Sequence, residues 1–285
     1  MTKTYGLPTE LNISLSTFEG DIEEAKTVFI GIPYFIKTRS NNIFFKNTDI
    51  LRIMRDKVED NSLLCRNIYY STLRLLDLGD IQSLTYDDIK DDITTIFSLS
   101  KLKNKNIIFL GGEHTFTYFI VENIHPRNII VFDAHLDLKD TLNFDKFNHA
   151  TYLRRLTEKI KDINIYLAGI RSYDEDEYEY LQSRKEVKTI DIEQLKNLKL
   201  EGITHLSIDL DVLDINIFSS TTYPEPNGLN FTELLSALKT LFRTNNIRTA
   251  DIMEFNPRAD RLEEAIIVLR LIYEIATLME HKKCI

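Results

Sequence analysis

Short, almost uninterrupted apolar runs recur along the chain, each ending abruptly in a glycine or an acidic residue. They are Thr27 to Ile30 before Gly31, Ile107 to Leu110 before Gly111, and Ile129 to Phe132 before Asp133. Three more are Ile163 to Ala168 before Gly169, Leu206 to Ile208 before Asp209, and Thr249 to Met253 before Glu254. Asn164, Ser207 and Asp251 are the polar interruptions. A strand with one wet face alternates apolar and polar residues, whereas a strand covered on both faces of a parallel sheet is continuously apolar. The runs therefore predict buried parallel strands. Stretches with helical spacing lie between them: His149 to Asp162, Phe231 to Phe242 behind Asn230 as N-cap, and Arg261 to Met279. Such alternation predicts an α/β fold of three layers, αβα, around a mostly parallel sheet. No Ser/Gly/Pro-rich linker, low-complexity tract or fixed-period repeat interrupts the 285 residues, so a single domain over 1–285 is expected.

Composition narrows the function classes. At 43% hydrophobic and 28% charged the chain reads as an ordinary globular protein. Its net charge of −9 argues against nucleic acid or an anionic membrane as partner, because both reward clustered Lys and Arg. The apolar runs fall short of the roughly 18 residues needed to span a bilayer, and the start lacks the apolar core of a secretory leader. Cys65 and Cys284 are too few for a disulfide framework, which makes a cytoplasmic, reducing location the expectation. The polar tail Glu280 to Lys283 and the last two residues are expected to fray.

In open α/β sheets, ligands bind beyond the carboxyl ends of the strands, and there the unusual polar residues gather. Asp133, His135 and Asp137 follow one run at i, i+2 and i+4, a spacing that puts all three on one side of an extended chain. Asp209 and Asp211 repeat the arrangement, and Gly111-Gly112-Glu113-His114 ends another strand with an imidazole. Taken one at a time, an Asp-x-Asp is commonly a loop or cap carboxylate and a lone His a structural residue. Taken together, four carboxylates and two imidazoles at one sheet edge would resist burial without cations. Two divalent ions would balance the four Asp charges, and oxygen-rich, thiolate-free ligation favours Mn²⁺ over Zn²⁺.

In order along the chain, GGEH (111–114), DAHLD (133–137), SIDLDVLD (207–214), TYPEPNGL (222–229) and MEFNP (253–257) resemble the motifs of the ureohydrolases: arginase, agmatinase and relatives. Softer matches are GIP (31–33), DLGDI (77–81) and GIRS (169–172), and the resemblance runs from about Thr27 to Asp260. It implies an arginase-like fold with an eight-stranded sheet and two Mn²⁺ per subunit. By motif position His114, Asp133, Asp137 and Asp209 would hold one ion and Asp133, His135, Asp209 and Asp211 the other. The implied reaction is attack of a metal-held hydroxide on a guanidino carbon, releasing urea and an amine. Asp137 would accept the hydroxide proton, Glu254 would pair with the planar guanidinium, and His149 would shuttle a proton to the leaving amine. His149 follows Asn148 at the start of a predicted helix, whose dipole would favour the neutral imidazole.

Pro224-Glu225-Pro226-Asn227-Gly228, His149-Ala150-Thr151 and Arg154-Arg155 look agmatinase-like, which makes agmatine, cleaved to putrescine, the expected substrate. Guanidinobutyrate, arginine and formiminoglutamate are the alternatives, with a non-catalytic metal-binding homologue behind them. Single-zinc deacetylases of this fold lack the ligand set seen here. The resemblance also implies a homo-oligomer, trimer or hexamer. The sequence departs from the family pattern at Glu113 and Thr115, where Asp and Ser are usual, and at Ala150, where Gly is usual and a Cβ would crowd the pocket floor. The first-strand motif lacks its Asp, with Tyr34 in that region, and the glycine-rich entrance stretch is barely recognisable in Asn42 to Arg52.

Overall fold

Eight strands form one sheet: β1 (Thr27–Ile32), β2 (Leu75–Asp80), β3 (Asn106–Gly111), β4 (Asn128–Phe132), β5 (Asn164–Ala168), β6 (Val187–Thr189), β7 (Ile203–Asp209) and β8 (Asn246–Met253). In this computed structural model, which describes residues 14–33 and 46–284, they lie in the order β2-β1-β3-β8-β7-β4-β5-β6. Every pairing is parallel. The N-terminal stretch, Tyr34, residues 42–45 of the divergent loop and Ile285 lie outside the described residues. All six apolar runs are strands of the sheet interior or next to its edges.

Among the described residues eight α-helices accompany the strands: α1 (Asn47–Met54), α2 (Tyr86–Ser98), α3 (Phe116–Ile124), α4 (Tyr152–Lys159), α5 (Glu175–Ser183), α6 (Ile192–Leu195), α7 (Phe231–Thr244) and, after the last strand, α8 (Glu264–Glu280). They cover both faces, as the continuous apolar strands require. Phe29, Ile108, Phe132 and Ile208 point to the side of α7 and α8, where Leu238, Leu241, Val268 and Ile272 complete the largest core cluster. Val28, Ile30, Ile107 and Phe109 point the other way, onto Ile89 and Ile93 of α2 and Phe116 and Ile120 of α3. On the same side Ile129, Val131, Ile165 and Leu167 meet Leu153 and Leu156 of α4. The expected three-layer αβα architecture is therefore observed, and the arginase-like assignment returns with the comparisons below.

Two expectations about the C-terminus do not hold. Cys65 and Cys284 are 219 residues apart yet joined as a disulfide, with their Cα atoms 5.6 Å apart. The pairing was invisible to spacing because α8 carries the chain end back across the molecule to the loop before β2. The tail does not fray as far as it is described: Lys282–Cys284 form a 3-10 turn, and the Cys284 backbone N–H donates to the His281 carbonyl at 2.8 Å. Helix α8 itself is core, buried from Ala265 through Met279 along most of its length, so its apolar character reflects intrachain packing. Among the described residues, no helix is long and apolar enough to cross a membrane.

Candidate active site

The sheet order brings the predicted residues together. β3 and β4 are consecutive in sequence but separated in the sheet by β8 and β7. Their four carboxyl ends thus lie side by side, at the kind of strand-order break where open α/β sheets bind ligands. His114 follows β3, Glu254 follows β8, Asp209 ends β7 with Asp211 just beyond, and Asp133, His135 and Asp137 follow β4. Gly169, after β5, has φ +98°, and a Cβ there would come within 2.9 Å of the Asp133 carbonyl, so glycine lets the neighbouring strand end approach this turn. Asp137 and Glu254 hold left-handed backbone, φ 52° and 61°, a strain that non-glycine residues carry mostly at functional sites.

His114 Nδ1 lies 3.0 Å from Asp209 Oδ2, 3.3 Å from Asp133 Oδ2 and 3.6 Å from Asp137 Oδ2. His135 Nδ1 is 2.9 Å from Asp211 Oδ2 and 3.7 Å from Asp133 Oδ1. Two ligand sets result, His114/Asp133/Asp137 and Asp133/His135/Asp211, each with its donor atoms within 4.8 Å of one another and with Asp133 common to both. Asp209 adjoins the first set through His114 and accepts the Asp211 amide on its other oxygen at 2.8 Å. His114 Nδ1 and Asp133 Oδ2 are buried, near each other, and without a hydrogen-bond partner. Buried polar atoms are rarely left so, and donors that converge without bonding fit a cation held between them.

A buried chain of side chains fixes the face that His114 presents. Ser207 Oγ gives its hydrogen to Asp251 Oδ1 at 2.6 Å, and Asp251 Oδ2 lies 2.7 Å from His205 Nε2. Having donated to Asp251, Ser207 can only accept at His114 Nε2, 2.9 Å away, where the Tyr152 hydroxyl also lies at 2.9 Å. Nε2 therefore carries the hydrogen, and Nδ1 is left with the lone pair that a metal requires. Ser207 and Asp251 were visible in the sequence only as polar breaks in apolar strands; His205 and Tyr152 carried no signal.

The electrostatics of the cluster are those of charges crowded out of water. Burial, then the charge of Asp133, pushes Asp137 well above the usual carboxylate range; burial, then Asp211 and Asp133, does the same to Asp209. Burial raises Asp211 to about 6 and Glu254 to about 7. Burial opposes the charge on His135, but Asp133 and Asp211 outweigh it and lift the imidazole to about 12; His114 is raised by Asp133 and Asp209 against the same opposition. Burial likewise works against the ionised form of Asp133, and its two histidine neighbours overcome it and hold this carboxyl low. A cluster that retains protons in this way is one that cations can replace them in.

Glu254 accepts the His114 amide on Oε1 at 2.9 Å and the Thr222 hydroxyl on Oε2 at 2.8 Å. His149 precedes helix α4, which starts at Tyr152 rather than at His149 as the sequence predicted. Burial works against the charged His149 imidazole, but its hydrogen bond to Glu113 and the charges of Glu254 and Asp209 prevail, and it is raised. Both residues line a cavity of about 220 Å³ together with His135, Asp137, Asp209 and Asp211. Ala150 lines it too, its Cβ taking the place of the expected glycine's open space. Lys139, Asp174 and Glu177 also face it; Lys139 Nζ pairs with Asp174 and lies 3.5 Å from Glu177. Arg171 pins the neighbouring loops by donating to the carbonyls of Asp211, Glu225 and Pro226, which the sequence match at 169–172 did not foretell.

Comparison with known proteins assigns this arrangement to a class. Residues 25–277 match the model of the arginase family. Among curated relatives, the agmatinase of Pyrococcus horikoshii is 32% identical over 251 residues, covering 85% of this chain and 87% of that one. The N(1)-aminopropylagmatine ureohydrolase of Thermococcus kodakarensis is 30% identical over 242 residues, with 81% and 83% covered. Among solved structures, agmatine ureohydrolase of Thermoplasma volcanium superposes with a TM-score of 0.82 at 23% identity, covering 96% of this chain and 97% of that one. The fold is the arginase fold, in line with the sequence resemblance. The chain belongs to the arginase family, and is an enzyme of the ureohydrolase type.

Proposed function

We propose that the protein is a binuclear manganese ureohydrolase that cleaves agmatine to urea and putrescine. The observation that carries the metal reading is the pair of buried, unpartnered donors, His114 Nδ1 and Asp133 Oδ2, at the junction of the ligand sets. His114, Asp133, Asp137 and Asp209 would hold one ion, and Asp133, His135, Asp209 and Asp211 the other. Two Mn²⁺ ions bound there would supply the Lewis acidity that makes water nucleophilic at neutral pH. The chain's own residues do the rest. Glu254, raised to about 7 by burial, ionises against a guanidinium and grips its planar N–H groups, presenting the carbon to the floor of the cavity. Asp137 takes up the proton lost by the attacking water, and His149 returns one to the departing amine nitrogen.

The substrate reading rests on charge. Among the described residues, Asp137, Asp174, Glu177, Asp209, Asp211 and Glu254 line the cavity, with Lys139 the one Lys or Arg against them. Two divalent ions would still leave the described lining with an excess of negative charge, and Lys139 is already engaged by Asp174 and Glu177. A guanidine with a second, cationic end is favoured over one with a carboxylate tail. Colorimetric urea release from Mn²⁺-loaded protein, over agmatine, arginine, 4-guanidinobutyrate and N-formiminoglutamate with formamide measured for the last, tests it. Agmatine should exceed 4-guanidinobutyrate in kcat/KM by about tenfold or more. Preference for a carboxylate-tailed compound would reassign the substrate, and no turnover of any compound by metal-loaded protein would move the reading to a non-catalytic homologue.

A further inference from the structure

Glu113 stands where the family pattern has an aspartate, and its longer side chain reaches the residue assigned to the proton shuttle. Its Oε1 accepts the His149 backbone N–H at 3.2 Å and lies 3.4 Å from the ring nitrogen Nδ1 of the same residue. The Thr115 hydroxyl donates to that oxygen at 3.0 Å, and the Tyr86 hydroxyl donates to Oε2 at 2.5 Å. Glu113 is 6% exposed, so these contacts form away from competing water. Tyr86 is in turn wedged among Phe116, Phe119 and Phe147, which fixes the hydroxyl that fixes the carboxylate. On its other side the His149 ring stacks on Tyr223, with centroids 5.3 Å apart and planes 28° apart.

We infer that Glu113, anchored by Tyr86 and Thr115, is a positioning residue that orients the His149 imidazole and holds its hydrogen on Nδ1. The carboxylate touches no part of the ligand sets; it acts through His149 alone. With Nδ1 committed to Glu113, Nε2 is the nitrogen left to exchange a proton in the cavity. This is the division of labour by which a carboxylate sets the tautomer of a catalytic histidine. The glutamate and the two hydroxyl-bearing residues around it then form one unit.

The inference deepens the proposed reaction and rests on it for the role of His149, so the tests separate the two. Glu113→Met keeps the volume and removes the acceptor, whereas Glu113→Gln keeps an oxygen for Nδ1–H. In the Mn²⁺-loaded, full-length enzyme, Glu113→Met should lower kcat for agmatine by about 10- to 100-fold with KM within about twofold and metal content unchanged. Glu113→Gln should recover most of that loss. The double variant Glu113→Met/His149→Asn should be no slower than His149→Asn, because a residue that works only through His149 has nothing left to act on. Additive losses in the double variant, or a fall in bound metal that tracks activity, would overturn the inference. The ¹⁵N spectrum of His149 in the full-length protein with diamagnetic Mg²⁺ reads the tautomer without turnover. Hydrogen on Nδ1 that is lost in Glu113→Met supports the pairing even if no guanidine is hydrolysed, and an Nε2–H tautomer in the unaltered protein refutes it.

Discussion

His114 is buried completely, and its ring is held at Nε2 by Ser207, itself bonded to Asp251 on the adjacent strand, and by Tyr152 of α4. Asp251 is the pivot: it accepts from Ser207 and faces His205, so replacing it removes the reason Ser207 accepts rather than donates at His114. Asp251→Asn should therefore weaken metal binding by about 10- to 100-fold, and should also destabilise the fold by about 1–3 kcal/mol through the mismatched buried partners. Isothermal titration with Mn²⁺ and calorimetric unfolding of the stripped protein read the two effects separately. His135→Ala leaves the first ligand set intact and should lower the bound metal from two ions to one while the circular dichroism stays unchanged; a stoichiometry that does not move would sink the assignment of the second set. At this scale the sequence was most informative where ligands are local. Asp133, His135 and Asp137 announce themselves by spacing, because one extended segment carries all three. Glu113, Ser207, Asp251 and Tyr152 act across 36 to 93 positions of sequence through contacts that only the strand order creates, and no local pattern encodes those.

The strands missed by the hydrophobic pattern are β2 and β6, the two edges of the sheet. Both read as polar for a physical reason. β2, Leu-Leu-Asp-Leu-Gly-Asp, has only its first residue buried, and Asp77 and Asp80 bind Arg52 of α1 at 2.8 Å each. β6 is three residues long with two of them exposed. Continuous apolar runs mark strands covered on both faces and both sides, and edges are relieved of that requirement. The helices were legible where a cap accompanied the periodicity. Asn230 accepts the Glu233 amide while Glu233 returns a bond to the Asn230 amide, a reciprocal box that fixes the start of α7 where the sequence placed it. Asn230→Ala should cost about 1 kcal/mol and lower Tm by a few degrees without altering metal content, as calorimetry on the Mn²⁺-loaded protein would show. Helix α4 was overextended at its start because Asn148 looks like a cap, yet its side chain accepts from Ala150 in a turn that holds His149 ahead of the helix.

Two devices act on the molecule as a whole, one covalent and one electrostatic. The Cys65–Cys284 bond ties the end of α8 to the loop before β2, where Glu274 of α8 also accepts from Ser62, Leu63 and Tyr70. Opening it should lower stability by about 2–4 kcal/mol, seen as a lower Tm in the presence of a reductant and as thiols that alkylate only after reduction. The electrostatic device is the buried carboxylate cluster, and its sign is fixed by the direction of the shifts. Asp211 and Glu254 are raised from 3.8 and 4.5 to about 6 and about 7, so between pH 4 and 7 the metal-free folded state holds protons that the unfolded chain has released. Stability falls with pH wherever the folded state binds more protons. The stripped protein should therefore lose stability, on the order of a few kcal/mol, as pH rises through that window, with Asp137 and Asp209 shifting in the same direction. Divalent ions bound at the proposed site would replace those protons, and their affinity would rise as the carboxyls ionise. Mn²⁺-loaded protein should accordingly show the opposite trend over the same range, and Tm curves of the two forms should diverge steadily from pH 5 to 7.5. Parallel curves would mean that the buried carboxylates are compensated by something other than metal.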